Sequence, residues 1–326
     1  MKHLIIGCGS IGRRHLRNLQ ALGERDIHCL RRAPDLEFAR VHQVNVITSP
    51  EAGLALQPDA VYVCTPTSLH LDGLKLAVAA RAHVLMEKPF VPTRADLTIA
   101  RSLLAGHERV FFIGYMLRYH AMLGQLRDIA ASSTVGKIFS ARFEFGSYLP
   151  NWHPEEDYRS SYAARVSMGG GVLNTISHEL DLIQSFFGDP TEVYGIKKNF
   201  GRLGIEAEEV CEAAFGYPDK LVTCHLDYLQ KDYDRTVRVI GESGTAAWDW
   251  ATNRILVREQ QKPAREILPQ EKFDVNQLYV DELKDFLALA RAGQARHALD
   301  AAHALRNTEL LLAVHEAAAT GCLIRI

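Results

Sequence analysis

Short apolar runs alternate with amphipathic segments over the first third of the chain. The apolar runs cover residues 4–6, 27–30, 44–47, 60–64, 84–86 and 110–114. Between them, residues 10–22, 70–80 and 95–104 carry apolar side chains at helical spacing. Strands that alternate with helices are typical of a doubly wound parallel sheet, so the pattern predicts an α/β domain of this kind.

The pattern changes after about Arg118, where longer segments alternate apolar and polar residues. These segments cover residues 138–145, 193–197, 210–217, 221–228, 237–240 and 255–258. Gly241 and Gly244 flank a predicted hairpin turn, because paired glycines permit the positive φ of tight turns. Two C-terminal helices are predicted, one capped by Asp274 or Asn276 and the other by Asp300.

These patterns predict two domains joined by a short crossover near residues 115–120. Residues 1–118 form the parallel α/β domain. Residues 119–326 form an α+β domain with an open, mostly antiparallel sheet, which both C-terminal helices close.

Amino-acid composition indicates which kinds of molecule the protein is expected to bind. The 326 residues contain 47% hydrophobic side chains, 37 Lys and Arg, and 39 Asp and Glu. This balance gives no net charge that would attract nucleic acid or an anionic membrane. No apolar run reaches the length of a membrane span, and the first strand leaves no room for a signal peptide. We therefore expect small-molecule partners, no nucleic acid, no membrane and a cytoplasmic location.

The six cysteines show no C-x-x-C spacing and lie mostly in apolar segments. This distribution favours reduced thiols in the core over disulfides or a zinc site.

A glycine motif, G-x-G-x-x-G, follows the first apolar run. In this strand, turn and helix context the glycines let backbone N–H groups approach a pyrophosphate at the positive end of the helix. A glycine turn with a purely structural role is the alternative. The motif predicts a dinucleotide site at Gly7, Gly9, Ser10, Ile11 and Gly12.

The second predicted strand ends in Leu30-Arg31-Arg32 and lacks the carboxylate that binds the ribose of NAD in many such folds. Arg31 could pair with a 2′-phosphate through its fork of donors, and Arg32 lies beside it. We therefore expect NADP as the cofactor, with NAD also possible. The alternative is that both arginines belong to a solvated loop.

A polar segment, residues 64–70, begins at the end of the fourth predicted strand, where doubly wound sheets bind ligands. Thr65, Pro66 and Ser68 are expected to contact the cofactor. For His70 two interpretations stand level: a cofactor contact, or a residue at a helix N-terminus that packs on the sheet.

Glu87-Lys88-Pro89 follows the fifth predicted strand, so Glu87 and Lys88 should lie at the sheet edge that holds the glycine turn. Beside the positive nicotinamide, a partly desolvated lysine favours its neutral form and can exchange a proton with a substrate hydroxyl. The alternative is a surface lysine paired with Glu87.

The glycine run 169–171 leads into a predicted helix that contains Asn174, His178 and Asp181. Spacings of four and three residues place these side chains on one face, where they could point into one cleft. Alternatively, His178 packs in the core. A metal site is disfavoured, since no further cluster supplies a third ligand to join His178 and Asp181.

Together, the glycine motif, Glu87-Lys88-Pro89, Gly114-Tyr115 followed by Arg118-Tyr119, and the glycine run with His178 resemble the glucose-fructose oxidoreductase and inositol dehydrogenase (Gfo/Idh/MocA) family. The resemblance covers essentially the whole chain. It implies an N-terminal Rossmann domain and a C-terminal open sheet. It also implies NAD(P)-dependent hydride transfer at a carbinol carbon of a sugar, sugar derivative or cyclitol, in a homodimer or homotetramer.

The resemblance further implies that Lys88 and His178 are catalytic. Asn174 departs from the family pattern, because members similar to inositol dehydrogenase carry aspartate at this position. An amide cannot take up a proton as a carboxylate can, so Asn174 is expected to orient substrate.

The segment 147–159 mixes polar and aromatic residues and suits sugar hydroxyls, although it could also be a polar surface loop. Arg159 occupies the place of a Trp-Arg pair in the family, which implies a contact with cofactor or with an anionic group. The expected substrate-binding residues are Lys88, Arg118, Tyr148, Trp152, His153, Tyr162, Asn174 and His178.

Two other functions remain open from the sequence. Some members of the family use the bound nicotinamide transiently in glycoside cleavage, with no net redox change. A non-catalytic NADP-binding sensor is the other alternative, against which Lys88 and His178 argue.

Overall fold

The computed structural model describes residues 1–326 and divides into two compact units. Unit 1 comprises Met1–Met116 and Val275–Thr308. Unit 2 comprises Leu117–Asp274 and Glu309–Ile326. The chain therefore leaves the first unit after Met116 and returns to it at Val275.

The strands, in chain order, are β1 (His3–Ile6), β2 (Ile27–Leu30), β3 (Asn45–Ile47), β4 (Ala60–Val63), β5 (His83–Glu87), β6 (Phe111–Gly114), β7 (Ile138–Gly146), β8 (Glu192–Lys198), β9 (Val210–Gly216), β10 (Leu221–Asp227), β11 (Asp234–Gly241), β12 (Gly244–Asp249), β13 (Arg254–Glu259), β14 (Arg265–Ile267) and β15 (Ile324–Arg325). The α-helices are α1 (Ser10–Ala21), α2 (Leu36–His42), α3 (Pro50–Ala55), α4 (His70–Ala79), α5 (Arg94–Ala105), α6 (Ala121–Ala131), α7 (Val172–Thr175), α8 (His178–Phe187), α9 (Val275–Ala292) and α10 (Ala301–Thr320).

Unit 1 contains a six-stranded sheet in the order β3-β2-β1-β4-β5-β6, and every neighbouring pair is parallel. Strands β1, β4 and β5 are buried along their whole length, as expected of apolar runs covered on both faces. The strand order reverses between β1 and β4. In such sheets ligands bind beyond the carboxyl ends of the strands at this switch point. The predicted doubly wound parallel sheet is confirmed.

Helix α9 belongs to unit 1, which corrects the expectation that both C-terminal helices close the second domain. Its Phe286 packs edge-on against Tyr62 of β4 at 5.5 Å and Phe112 of β6 at 5.9 Å between ring centres. Asn276 hydrogen-bonds with Asn18 of α1. The helical spacing of α9 predicts its apolar face but not the sheet which that face covers. Helix α10 is shared, since the division falls between Thr308 and Glu309.

Unit 2 contains a nine-stranded sheet in the order β14-β13-β12-β11-β7-β10-β9-β8-β15. Strands β7 and β10 pair in parallel, and the other neighbours are antiparallel. The mostly antiparallel sheet is therefore confirmed, as is the turn from Gly241 to Gly244, which joins β11 and β12. Strand β12 itself and the short edge strands β14 and β15 are not among the predicted segments.

Two features of the whole chain complete the description. No helix combines the length and apolar character needed to cross a membrane. All six cysteines are free thiols, and four of them are buried.

Candidate active site

The glycine turn between β1 and α1 is shaped by close backbone contacts. Gly7 has φ +90°, and a Cβ atom there would lie 2.8 Å from the backbone of Cys64 and Thr65. A Cβ atom on Gly12 would lie 2.0 Å from the carbonyl oxygen of Gly7. Gly9 differs, because a Cβ atom there would meet nothing within 4 Å. Gly7 and Gly12 therefore permit the packing, whereas Gly9 leaves open space in front of the turn.

The first turn of α1 is suited to an anion. Its N-cap residue, Gly9, provides no side-chain hydrogen bond, and no acidic residue lies in the first turn. Backbone N–H groups at a helix start need partners, and the helix dipole favours negative charge at this position. Ser10 is exposed and Ile11 is half-buried. This open cradle fits the pyrophosphate of a dinucleotide.

Positive charge lies beside this turn. Arg13 donates a hydrogen bond from Nη1 to the Cys8 carbonyl oxygen at 3.4 Å. The pKa of the Cys8 thiol is lowered by a hydrogen bond with Cys29 and by the charges of Arg31 and Arg13, although burial opposes the shift. The electrostatic environment of the turn therefore favours anionic groups.

The end of β4 contributes Thr65, whose Oγ1 is buried without a hydrogen-bond partner in the protein. An orphaned hydroxyl at this position is suited to a bound ligand. Pro66 is half-buried and Ser68 is exposed, so both are open to a ligand along part of their surface.

The structure favours the packing interpretation of His70. Its Nε2 lies 2.9 Å from the Thr65 carbonyl oxygen, and its Nδ1 lies 2.9 Å from that of Pro89 and 3.0 Å from that of Phe90. Burial lowers the pKa of His70 despite these contacts. Because both ring nitrogens face backbone carbonyls, the imidazole holds the segment after β4 against the segment after β5.

Arg31, at the end of β2, is held by two contacts. Its Nη2 donates to Asp35 Oδ2 at 2.9 Å, and its guanidinium lies 4.2 Å from the ring centre of Phe38. Asp35 also caps helix α2 by accepting a hydrogen bond from the Phe38 N–H at 2.8 Å. The neighbouring Arg32 is exposed.

A buried hydrogen bond links the glycine-turn helix to the Glu87-Lys88-Pro89 segment. His15 Nε2 of α1 lies 2.8 Å from Glu87 Oε1 at the end of β5, and the His15 side chain is fully buried. Burial alone would raise the pKa of Glu87, but His15 and the nearby charge of Lys88 lower it below the usual value. Glu87 Oε2 also accepts from the Lys88 N–H at 3.3 Å. Lys88 is half-buried at this edge, and its peptide bond to Pro89 is cis.

In unit 2, the side-chain amide of Asn174 in α7 forms hydrogen bonds within the protein. Its Nδ2 donates to the carbonyl oxygens of Gly169 at 3.1 Å and Gly170 at 3.2 Å, and its Oδ1 lies 2.7 Å from His315 Nε2. The side chain is buried. We expected Asn174 to orient substrate, but these contacts assign it to holding the glycine run that precedes α7.

His315 of α10 completes this network as a neutral imidazole. Its Nδ1 lies 2.6 Å from Lys197 Nζ, and Lys197 lies 3.7 Å from Glu208. Burial and the Lys197 charge lower the pKa of His315 to about 3. A proton on Nε2 lets the ring donate to Asn174 and accept from Lys197, so every partner is satisfied.

His178 is the first residue of α8 and is buried. The residues that follow it are fixed by buried ion pairs. Glu179 Oε1 lies 2.7 Å from Arg235 Nε. Asp181 accepts from Arg118 Nε at 2.6 Å and from Arg118 Nη2 at 2.9 Å. Asp181 therefore anchors Arg118 within unit 2, and the predicted contact of Arg118 with substrate stays a prediction.

The segment 147–159 lies in unit 2 and contains both buried anchors and exposed side chains. Trp152 Nε1 donates to Ser147 Oγ at 2.9 Å. Arg159 is exposed, pairs with Asp157 at 3.4 Å and lies over the Tyr158 ring. His153 is also exposed, whereas Tyr148 and Tyr162 are half-buried. The cofactor role of Arg159 and the substrate roles of the others stay predictions.

Comparison with known proteins identifies the family. Residues 1–115 match the oxidoreductase family with an NAD-binding Rossmann fold, and residues 123–247 match the Gfo/Idh/MocA C-terminal domain. The chain belongs to the Gfo/Idh/MocA family. The resemblance drawn from its motifs is thereby confirmed.

Relatives within this family act on different molecules. Myo-inositol 2-dehydrogenase of Thermotoga maritima is 24% identical over 306 residues, which cover 89% of this chain and 88% of that protein. A dTDP-3,4-didehydro-2,6-dideoxy-alpha-D-glucose 3-reductase of Streptomyces violaceoruber is 28% identical over 277 residues, covering 80% and 77%. Levoglucosan dehydrogenase, solved with NADH and levoglucosan, shares the fold with a TM-score of 0.88 at 15% identity, covering 100% and 99% of the two chains.

Several residues of this Gfo/Idh/MocA protein have roles that sequence analysis missed. Helical spacing places His15 on the inner face of α1, but nothing in the sequence pairs it with Glu87. Lys197 lies in a strand, Glu208 in the loop before β9 and His315 in α10, and none of them belongs to a motif. Their roles follow from contacts between residues far apart in the chain. No group of three or more His, Cys, Asp or Glu side chains could hold a metal ion.

Replacement of Asn174 by the family's aspartate should destabilise the protein. Asn174→Asp removes both N–H donors and places a carboxylate against the carbonyl oxygens of Gly169 and Gly170. Each buried group left without its partner costs about 1–3 kcal/mol, so we expect the free energy of unfolding to fall by about 2–4 kcal/mol. Urea denaturation of the variant and of Asn45→Asp, at an exposed asparagine, measures the difference. A variant as stable as the parent protein would contradict this account of the amide.

Proposed function

We propose that this chain is an NAD(P)-dependent oxidoreductase that transfers a hydride between nicotinamide and a carbinol carbon of a sugar, sugar derivative or cyclitol. The observation that carries the proposal is the buried His15–Glu87 hydrogen bond, which joins the helix of the dinucleotide cradle to the segment with Lys88. The named activities of the relatives, on inositol and on a dTDP-sugar, support the substrate class.

We further propose that Lys88 and His178 are the two catalytic residues. Both match the catalytic positions of the family, and both follow a tightly packed segment: Lys88 after β5, and His178 after the Asn174 network. Rigid support on each side suits a site in which reacting groups must be held to within a fraction of an ångström.

When bound, the nicotinamide would supply the acceptor or donor of the hydride at its C4 atom. In the direction of oxidation, the Lys88 amine takes the proton of the substrate hydroxyl while the C–H electron pair leaves as hydride, so an alcohol becomes a carbonyl. The proposed role of the His178 imidazole is to orient substrate by a hydrogen bond. In the reverse direction, Lys88 returns the proton to the oxygen.

NADP is the proposed cofactor. Arg31 offers a guanidinium at the end of β2, and Arg32 adds a second positive charge. The nearest carboxylate, Asp35, already accepts from Arg31 and from the Phe38 N–H. Because Asp35 already has these partners, it is poorly suited to bind a ribose hydroxyl. Arg31 and Arg32 are better suited to bind a 2′-phosphate.

We also propose a homodimer or homotetramer that assembles through the outward face of the unit 2 sheet. Tyr194, Ile196 and Leu221 are 39%, 44% and 51% exposed, and strand register places them on one face. Exposed apolar side chains on a shared face favour burial against a second copy.

Light scattering should give a multiple of 36.4 kDa, and Tyr194→Lys with Ile196→Lys should shift the mass toward one chain. A parent protein of monomer mass would contradict the proposal.

Loss of the Lys88 amine should abolish turnover without loss of the cofactor. We expect Lys88→Met to lower kcat by about 10²- to 10⁴-fold, the usual contribution of a positioned acid or base. The affinity for NADPH, measured by its fluorescence on binding, should stay near that of the parent. Lys75→Met, at an exposed lysine of α4, is the matched control. Rates are measured by nicotinamide absorbance on the best substrate from a panel of sugars and cyclitols.

Other outcomes of the same assays would count against the proposal. A Lys88→Met variant with the parent kcat would remove Lys88 from the mechanism. Tight NADPH binding by a parent protein that turns over no member of the panel would indicate a non-catalytic sensor. Release of the aglycone from a synthetic glycoside without added cofactor would indicate a glycosidase with no net redox change.

Cofactor preference should depend on Arg31. Arg31→Ala removes charge-assisted hydrogen bonds of about 1.5–3 kcal/mol, which corresponds to a roughly 10- to 100-fold weaker affinity for NADPH. The same change frees Asp35 from its ion pair, so the affinity for NADH should hold or rise. Titrations of both nucleotides against this variant and against Arg40→Ala, at an exposed arginine of α2, measure the ratio. Equal losses for the two nucleotides would remove the 2′-phosphate contact.

A further inference from the structure

A pocket of about 480 Å³ lies in unit 2 where β7 ends. Its walls include the aromatic side chains of Phe145, Tyr148, Trp152 and Tyr233, together with Lys231. The volume falls within the range of about 300–1,000 Å³ typical of sites for small molecules. Such sites combine apolar walls with a few polar groups, which matches this lining.

The aromatic walls are held in place by one another. Phe145 packs edge-on against Tyr233, with ring centres 5.5 Å apart, and against Trp152 at 6.4 Å. The hydrogen bond from Trp152 Nε1 to Ser147 Oγ fixes the indole. One face of a pyranose ring presents mainly C–H groups and therefore packs well on an aromatic surface. Rigid rings of this kind suit a sugar more than a flexible apolar chain.

Backbone hydrogen bonds join the two segments that form the pocket. The Ser147 N–H donates to the Asp227 carbonyl oxygen and the Leu149 N–H to that of Tyr228, both at 3.1 Å. On the opposite side, Asp227 Oδ1 accepts from the N–H groups of Leu229 and residue 230, both at 2.6 Å. The loop with Lys231 is therefore anchored before any ligand binds, which lowers the entropic cost of binding.

Lys231 supplies the only charge among the side chains that line the pocket. Its Nζ lies 3.1 Å from the ring centre of Tyr148, and the side chain is exposed. No acidic side chain lines the walls to neutralise this ammonium. A single compact positive charge beside apolar walls is complementary to a ring that carries one negative charge.

Two of the pocket walls are connected to helices α7 and α8 through one intervening side chain each. Trp152 packs edge-on against the buried Tyr228 at 5.4 Å, and Tyr228 lies beside Thr175. On the other side, Arg235 lies 4.6 Å over the Phe145 ring and pairs with Glu179 at 2.7 Å. Thr175 and Glu179 lie on either side of His178 in the sequence. Through Tyr228 and Arg235, the pocket walls are therefore connected to residues that flank His178 in the sequence.

We propose that this pocket binds a carboxylate-bearing sugar, with the ring against Trp152 and the carboxylate at Lys231, whose ammonium lies over the Tyr148 ring. The inference rests on the proposed oxidoreductase function and specifies its substrate class as an acidic sugar. A carboxylate is favoured over a phosphate because one ammonium balances its single charge.

Binding measured without turnover tests the proposal. D-Glucuronate, D-glucose and D-glucose 6-phosphate share one ring and differ only at carbon six, so they serve as probes. Tryptophan fluorescence and calorimetry should show that the NADPH-loaded parent protein binds glucuronate at least about tenfold more tightly than glucose. Lys231→Gln should abolish this preference and leave the affinity for glucose unchanged. Lys231→Arg keeps the charge and should keep the preference, while Lys262→Gln, at an exposed lysine, is the matched control.

Three results would overturn the proposal: equal affinities of the parent protein for glucuronate and glucose, a preference that survives in Lys231→Gln, or tighter binding of the phosphate than of the carboxylate. The proposed function fails differently. A protein that binds glucuronate through Lys231 but transfers no hydride would contradict only the oxidoreductase activity. A protein that oxidises an acidic sugar as well after Lys231→Gln as before it would contradict only the acidic-sugar pocket.

Discussion

The close approach of helix α1 to the end of β1 is the contact on which the candidate site depends. It exists because Gly12 has no side chain: a Cβ atom would lie 2.0 Å from the carbonyl oxygen of Gly7. One turn further along the helix, this approach lets His15 reach Glu87 across 2.8 Å in the core. The absence of a side chain at Gly12 therefore has two effects. It lets the N-terminus of α1 lie at the sheet edge, and it lets His15 connect this helix to the segment that contains Lys88. Any displacement of α1 would alter both together.

In unit 2, a glycine-rich segment is held by the polar side chain of Asn174. The glycine run 169–171 has no side chains of its own to pack, and Nδ2 of Asn174 donates to the carbonyl oxygens of Gly169 and Gly170, while Oδ1 of Asn174 pairs with His315. A carboxylate offers no donor and could not replace the two N–H groups of Asn174. The arrangement also includes a neutral His315, since burial and the charge of Lys197 lower its pKa to about 3.

Much of the fold could be predicted because the periodicity of apolar residues reports directly on which face of an element is buried. The strands of unit 1 and the alternating strands of unit 2 follow from it, while the glycine turn and the Gly241–Gly244 hairpin follow from the positions of glycines. The parallel pairing of β7 with β10 does not, since alternation is the same for either strand direction. Nor does the return of α9 to unit 1, because an apolar helix face can cover either sheet.

For the candidate site, the sequence by itself determined the chemistry available: a cradle for a dinucleotide, a lysine after β5 and a histidine after a glycine run. Local spacing suffices for these, because each motif is formed by neighbours in the chain. Only the tertiary structure showed which groups pair within the protein, as with Asn174 and His70, and which line a pocket, as with Lys231. The role of a buried polar group depends on its hydrogen-bond partner. Such partners can be as far apart in the chain as Asn174 and His315, and no local sequence pattern connects them.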